Sequence, residues 1–252
     1  MNLADMTWPE VAALPRSTPV VIPVAAVEQH GHHLPVVTDS LLLGEIVRRV
    51  AERMTDRILF APLEWLGNSH HHLDFPGTLS ASPRVYLDMV ADLAECFLAH
   101  GFRRIVFVNG HGGNDVPVKQ ALFEIRQRHR GRDDLLLLMT TYWGLGTRPW
   151  EHDSGFVQRE MGHACEWETS MVLRAAPHLV KPHTGLETVP FGNPFLPGFR
   201  AWITKERTVP GHIGSPQEAT AAKGETLFSL FAADLERWLE RVVGWDGRSW
   251  EG

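Results

Sequence analysis

The sequence has few of the features that mark disulfide-rich, membrane-spanning or nucleic-acid-binding proteins. It contains two cysteines, Cys96 and Cys165, in 252 residues, which is too few for a disulfide framework and is typical of a reducing compartment. It has no run of Lys and Arg, and its formal net charge is −6. This charge argues against nucleic acid and anionic membranes as partners. No apolar stretch is long enough to cross a bilayer and no secretory leader begins the chain, so we expect a cytoplasmic protein without a membrane anchor.

What is present favours an α/β architecture. Short apolar runs rich in β-branched residues occupy residues 20–27, 58–63, 105–108 and 135–141. Residues 40–55, 83–100 and 116–130, which lie between these runs, have helical spacing. This alternation predicts a mostly parallel sheet covered by helices on both faces. There is no repeat or clear linker, so residues 1–252 are expected to form one domain.

A first polar cluster follows the first predicted strand. Glu28 and His30 are two residues apart and would share one side of a continuing strand. Asp39 can return to them through a loop. Two carboxylates and an imidazole that meet at a strand end suit a divalent metal such as Zn²⁺ or Mn²⁺. The alternative for this pair alone is ordinary surface polarity where a strand meets solvent.

A second cluster, Asn-Gly-His-Gly-Gly-Asn at residues 109–114, follows the third predicted strand. His111 is the candidate ligand there, and the neighbouring glycines allow a close approach of the backbone to a metal or substrate. A glycine-rich turn before a helix can also hold phosphate. However, neither standard phosphate-binding glycine motif is present, and the prominent residue is His rather than Lys.

A third cluster contains His163, Glu166 and Glu168 in a predicted helix over residues 163–175. The two glutamates point in different directions on a helix, so one of them is expected to reach a metal. Acidic residues in a first helical turn are also explained by the helix dipole alone. Residues 70–72 are three consecutive histidines in a predicted loop; consecutive side chains diverge, which favours solvated rings. Cys165 has no activating neighbour in the sequence and is interpreted as structural.

Taken together, the motifs resemble those of the creatininase (creatinine amidohydrolase) family, in the family's order and spacing. The resemblance covers about residues 20–173, more than half of the chain. The matching residues are Glu28-Gln-His30-Gly, Leu34-Pro, Thr38-Asp39, Phe75-Pro-Gly-Thr78, Asn109-Gly-His111-Gly-Gly-Asn114 and His163-Ala-x-x-x-Glu168-Thr-Ser170.

The resemblance implies a three-layer α/β/α sandwich, assembly as a homohexamer, and two divalent metal ions per chain, as Zn²⁺, Mn²⁺ or Fe²⁺. It implies that Glu28 and His111 bind one metal, that His30 binds the other, that Asp39 bridges both, and that Glu168 supplies the remaining carboxylate. It also places His163 near the scissile bond. Gly113 departs from creatininase itself, which has a metal-binding Glu there; Glu168 is expected to compensate.

The function implied is hydrolysis of a C–N bond in a small cyclic amide or related amide, with a metal-bound hydroxide as nucleophile. His163 would deliver a proton to the leaving nitrogen, because an imidazole titrates close to neutral pH. We expect His72, Gly112 and Trp167 to contact the substrate, with Trp143 and Trp150 as further candidates for an aromatic wall. Two alternatives remain open: a hydrolase of a lactone, a formamide or another small carbonyl compound, and a non-catalytic metal- or ligand-binding protein.

Overall fold

The computed structural model describes residues 1–250 and contains a four-stranded, fully parallel sheet. The strands are β1 (Val20–Val24), β2 (Leu59–Phe60), β3 (Arg104–Asn109) and β4 (Leu136–Thr141). Their order across the sheet is β2-β1-β3-β4, and the register pairs Val20 of β1 with Leu59 and with Ile105. The predicted parallel sheet is therefore confirmed.

Eight α-helices surround this sheet in the described residues. They are α1 (Trp8–Ala13), α2 (Thr38–Arg53), α3 (Pro83–Ala99), α4 (Asp115–Arg128), α5 (Pro149–His152), α6 (Glu166–Ala175), α7 (Thr204–Arg207) and α8 (Ala221–Gly244). Short 3-10 turns include His70–His72 and Gly112–Asn114. None of the helices is long and apolar enough to cross a membrane.

The alternation of side chains along each strand divides the core into two layers. Val20 and Ile22 of β1 belong to the cluster that packs against α3 and α4, whereas Val21 belongs to the cluster formed with α2, α6 and α8. Ile105 and Val106 of β3 divide in the same way. Successive residues of a strand point to opposite faces, so both faces are apolar and both must be covered. The result is the predicted α/β/α sandwich.

The predicted helix over residues 163–175 begins three residues later, at Glu166. His163 lies instead in an isolated bridge, in which its N–H and C=O pair with the C=O and N–H of Ile213 at 3.0 and 2.7 Å. Ala164 then has φ of 47°, a conformation that ends the extended backbone before the helix. A long-range pairing that the local pattern cannot show thus removes His163 from the helix.

The final helix, α8, begins at Ala221. Ser215 precedes it, and its N–H donates to Gln158 Oε1 at 2.7 Å. Thr220 is the N-terminal cap, and its hydroxyl accepts a hydrogen bond from the Lys223 N–H at 3.2 Å. The proline-rich segment before α8, residues 177–216, folds back over the carboxyl end of the sheet, where it contributes to the site described below.

Candidate metal centre

The predicted ligands meet at the carboxyl end of the parallel sheet, around a cavity of about 860 Å³. Glu28 and His30 follow β1, His111 follows β3, Asp39 lies in the first turn of α2, and Glu168 lies in the first turn of α6. All five side chains are buried. Parallel strands end at one edge of a sheet, which is where function is expected in such folds.

His30 presents a lone pair to two carboxylates. Its Nδ1–H donates to the main-chain carbonyl of Glu28 at 3.1 Å, and since a carbonyl oxygen only accepts, Nδ1 must carry the proton. The other nitrogen, Nε2, lies 3.2 Å from Asp39 Oδ1 and 3.5 Å from Glu168 Oε1. In the neutral ring Nε2 carries a lone pair, which repels both carboxylates unless a proton or a metal ion lies between them.

His111 repeats this arrangement on the other side of the cluster. Its Nε2–H donates to the main-chain carbonyl of Asn68 at 3.0 Å, so in the neutral ring Nδ1 carries the lone pair. Nδ1 lies 3.1 Å from Asp39 Oδ2 and 3.4 Å from Glu28 Oε1. A main-chain carbonyl that fixes the far nitrogen of a histidine is typical of metal ligands.

Asp39 lies between these two histidines, with one oxygen toward each. Burial alone would raise the pKa of the Asp39 carboxyl, but His30 and His111 hold it well below its usual range. For His111, burial alone would lower the pKa, but Glu28 and Asp39 raise it to about 10. Without metal, therefore, protons occupy the nitrogens that a cation would take.

The donor set fits divalent metal ions. Glu28 Oε2, His30 Nε2 and Asp39 Oδ2 are buried and have no hydrogen-bond partner with acceptable geometry. One ligand atom each of Glu28, His30 and Asp39 lies within 4.8 Å of the other two, and the same holds for His30, His163 and Glu168. Unpaired buried polar atoms are costly, and carboxylate oxygens with imidazole nitrogens are the donors that Zn²⁺ and Mn²⁺ accept.

Glu168, and not Glu166, reaches the cluster. Glu166 points away and forms a buried ion pair with Lys223 Nζ at 2.6 Å. It also accepts hydrogen bonds from the N–H groups of Val157 and Gln158. Glu168 Oε2 accepts a hydrogen bond from the Cys165 N–H at 3.3 Å, so this glutamate also stabilises the start of α6. Its other oxygen, Oε1, faces His30.

His163 borders the same cluster with an acceptor nitrogen. Its Nε2–H donates to the main-chain carbonyl of Gln29 at 2.7 Å, which leaves the Nδ1 lone pair 3.5 Å from Glu28 Oε1. Burial, reinforced by His30 and His72, lowers the pKa of His163 well below its usual value. The ring is therefore neutral at pH 7 in the metal-free protein, because it is buried among other imidazoles.

His72 orients Glu28 and also lines the cavity. Gln29 donates from Nε2 to His72 Nδ1 at 2.8 Å, while its Oε1 accepts from the Gly31 N–H. The His72 proton therefore lies on Nε2, which is 3.4 Å from Glu28 Oε1. The expectation of solvated histidines holds for exposed His70, whereas His71 is half-buried and His72 is buried.

The two glycines after His111 differ sharply in the space around them. Gly112 lines the cavity, and a Cβ at this position would meet nothing within 4 Å. A Cβ at Gly113 would lie 2.2 Å from Asn68 O and 2.5 Å from His111 Nε2. A glutamate therefore cannot replace Gly113 in this backbone, and Glu168 is the carboxylate present near His30.

Trp167 does not line the cavity, contrary to the predicted substrate contact. It is buried in the core with its ring near those of Trp150, Phe156 and Phe231, because its position in α6 faces α5 and α8 rather than the site. Trp150 is part of the same core cluster. Trp143 does line the cavity. Cys165 is structural, as predicted, since burial raises the pKa of its thiol to about 12.

Several residues of the site were not identified from the sequence. Gln29 connects His72 and His163, and its position between Glu28 and His30 in a buried motif was the available signal. His71, Trp202 and Arg207 also line the cavity. Trp202 and Arg207 belong to the proline-rich segment, whose path has no local periodicity from which to predict it.

Comparisons with known proteins agree with this site. The family model described as Creatininase: Creatinine amidohydrolase matches residues 4–239. The chain is 28% identical to the creatinine amidohydrolase of Pseudomonas putida over 243 residues, covering 90% of this chain and 92% of the relative. It is 31% identical to the mycofactocin precursor peptide peptidase of Mycobacterium tuberculosis (strain CDC 1551 / Oshkosh), covering 92% of this chain and 88% of the relative.

Solved structures give the same result for the fold. A creatininase described as the Mn form and a mutant creatininase of Zn-Zn type each have a TM-score of 0.81 and 27% identity to this chain. Each comparison covers 95% of this chain and 97% of the other. The chain therefore belongs to the creatininase family of hydrolases.

Proposed function

We propose that this protein is a two-metal amidohydrolase that cleaves a C–N bond of an amide substrate. The observation that carries the proposal is the placement of Asp39 between His30 and His111, whose lone pairs both face carboxylates. One ion would be held by Glu28, His111 and Asp39, and the other by His30, Asp39 and Glu168. When bound, such ions acidify a coordinated water and polarise a substrate carbonyl.

The residues of the chain divide the remaining tasks. His163 Nδ1 is unprotonated and borders the cluster, so it can take a proton during attack and return it to the leaving nitrogen. Its Nε2–H, held by the Gln29 carbonyl, fixes the ring in this orientation. His72 steadies Glu28, and the open side of Gly112 leaves room for substrate beside His111.

The cavity size bears on the substrate. At about 860 Å³, it lies in the upper part of the range for pockets that bury drug-sized ligands, roughly 300–1,000 Å³. A relative of 31% identity is named as a peptidase of a precursor peptide. We therefore extend the proposed substrates from small cyclic amides to larger amides, including peptide-like ones.

A turnover panel tests this proposal on the zinc- and manganese-loaded protein. Lactams, hydantoins, linear amides, formamides and lactones should be compared at equal concentration. We expect hydrolysis of at least one amide class and its loss after chelation of the metals. Hydrolysis of lactones without any amide would replace the proposal, and metal-replete protein inactive on every class would favour a binding protein.

The family resemblance also leads us to propose a homohexamer. Exposed apolar side chains in the proline-rich segment support an interface, since Phe199 and Val209 are each 89% exposed and Leu196 is 75% exposed. Sedimentation velocity at micromolar concentration should give a single species of six chains; a monomer would contradict it. A cytoplasmic location stays a prediction from the cysteine content.

A further inference from the structure

Beyond the metal centre, the cavity wall is aromatic and cationic. The acidic residues that line it in the described chain are Glu28, Asp39 and Glu168, all at the metal centre. Two cationic side chains, Arg84 and Arg207, also line the cavity. Its aromatic side chains are Trp143, Phe191, Phe199 and Trp202. Ligand pockets are typically apolar with a few placed polar groups, so these arginines are candidates for such groups.

Arg207 is held in place but its charge is not neutralised. Its guanidinium lies over the Trp202 ring, 4.7 Å from the centroid, and one Nη2–H donates to the Phe191 carbonyl at 2.5 Å. Within residues 1–250, no carboxylate oxygen lies within 4.0 Å of it. Burial lowers the pKa of Arg207, yet arginine stays protonated at neutral pH. A half-buried guanidinium that has no carboxylate partner can bind an anionic group of a ligand.

The position of Arg207 ties this cation to the reaction centre. Its helix, α7, begins at Thr204, whose hydroxyl lies 3.1 Å from His72 Nδ1. The other nitrogen of His72 faces Glu28. Trp202 in turn lies edge-on to His71, with ring centroids 5.1 Å apart. The Arg207–Trp202 pair is thus one layer of side chains away from the metal ligands.

We propose that Arg207 binds a carboxylate of the substrate, so that the enzyme selects amides carrying an anionic group and a planar or apolar group against Trp202. The proposal rests on the proposed amidohydrolase function. An arginine fork matches a carboxylate geometrically, and stacking on Trp202 fixes the plane of that fork. Arg84, exposed at the rim near the start of α3, adds a second positive charge that draws anions toward the cavity.

The same chain offers a matched control. Arg200 also stacks on an aromatic ring, that of Phe195 at 6.0 Å, and belongs to the same segment. It does not line the large cavity. If stacked arginines in this segment merely stabilise the fold, Arg200→Met and Arg207→Met should act alike.

The test compares N-acetyl-L-phenylalanine with its neutral amide, N-acetyl-L-phenylalaninamide, by isothermal titration of zinc-loaded protein. A charge-assisted hydrogen bond contributes enough for a preference of about tenfold or more. We expect that preference in the native protein and in Arg200→Met, a preference near one in Arg207→Met, and an intermediate value in Arg207→Lys. An equal affinity for both ligands in the native protein, or a preference unchanged in Arg207→Met, would overturn the proposal. An unchanged preference in Arg207→Met would mean that the carboxylate of the ligand binds the metals instead of Arg207.

A second measurement needs no variant and covers the case in which Arg207→Met fails to fold. Phenylglyoxal modifies accessible arginines, and peptide mass spectrometry locates the product. N-acetyl-L-phenylalanine should protect Arg207 and leave the reactivity of Arg200 unchanged, whereas equal protection of both arginines, or protection of neither, would contradict the proposal. The two proposals fail separately. Amide turnover without protection of Arg207 would refute the role of Arg207 alone, and protection of Arg207 without any amide turnover would refute the proposed function alone.

Discussion

Asp39 Oδ2 lies 3.1 Å from His111 Nδ1, across the gap between the start of α2 and the loop after β3. The other oxygen of Asp39 lies 3.2 Å from His30 Nε2. Because both nitrogens are acceptors in their neutral tautomers, the carboxylate is positioned to share two cations. The predictions below follow from this arrangement.

Metal affinity should increase with pH. His111 has its pKa raised to about 10, so at pH 7 the metal-free protein holds a proton where a metal would bind. Each displaced proton makes apparent affinity rise by up to about tenfold per pH unit in that range. Competition with a chelator between pH 6 and 8 measures this dependence, and pH-independent affinity would count against His111 as a ligand.

The metal-free protein should show the opposite trend in stability. The pKa of His111 is higher in the folded state than in the unfolded state, so protonation of His111 stabilises the folded protein. This contribution is complete below about pH 6.5 and is lost as the pH rises through 10. We therefore expect the melting temperature of the metal-free protein to fall between pH 7 and pH 9. The zinc-loaded protein serves as the control, and it should not show this decline.

His163→Asn should separate proton transfer from metal binding. We expect this variant to keep its fold and metals while kcat falls by about 10²–10⁴-fold. His111→Asn, in contrast, should lose metal as well as activity, because it removes a donor nitrogen. Metal analysis beside turnover distinguishes these outcomes. Equal metal loss in both variants would make His163 a ligand, and full activity of His163→Asn would make it structural.

Glu166 and Glu168 should differ in what they support. Glu166→Gln leaves Lys223 buried without its carboxylate and should lower the free energy of unfolding by about 3–5 kcal/mol. Metal content should be retained. Glu168→Gln should lower metal content instead. Urea unfolding and elemental analysis of both variants test this, and the double variant Glu166→Gln/Lys223→Met should recover stability.

Adjacent glycines provide a test of the packing around His111. Gly113→Ala should destabilise the protein by about 1–3 kcal/mol and weaken metal binding, because the new Cβ would meet Asn68 O and the His111 ring. Gly112→Ala has open space and should be tolerated. The two variants should be compared by their melting temperatures, measured with and without zinc. Equal effects would mean that the loop adjusts freely.

The sequence was most informative where local pattern and tertiary structure agree. The strands around Val21 and Val106 are apolar because they are buried on both faces, so their positions follow from composition. Glu28, His30, Asp39 and His111 follow from strand ends and motif order. Residues whose role depends on long-range pairing were not predictable: the bridge to Ile213 removes His163 from α6.

The two errors at the site have different physical origins. Trp167 is next to Glu168 in sequence, but successive residues of a helix point about 100° apart, so it enters the core while Glu168 enters the site. Arg207 and Trp202 reach the cavity through an irregular segment with no periodic signal. Side chains placed by loops thus remain the least predictable part of the site.

Metal stoichiometry of the native protein and of Asp39→Asn tests the central claim most directly. Inductively coupled plasma mass spectrometry on protein loaded with zinc and then desalted should give about two ions per chain for the native protein. The variant should hold markedly fewer, because both proposed sites lose a shared ligand. Native protein that holds no zinc, or an Asp39→Asn variant with unchanged content, would contradict a bridging role for Asp39.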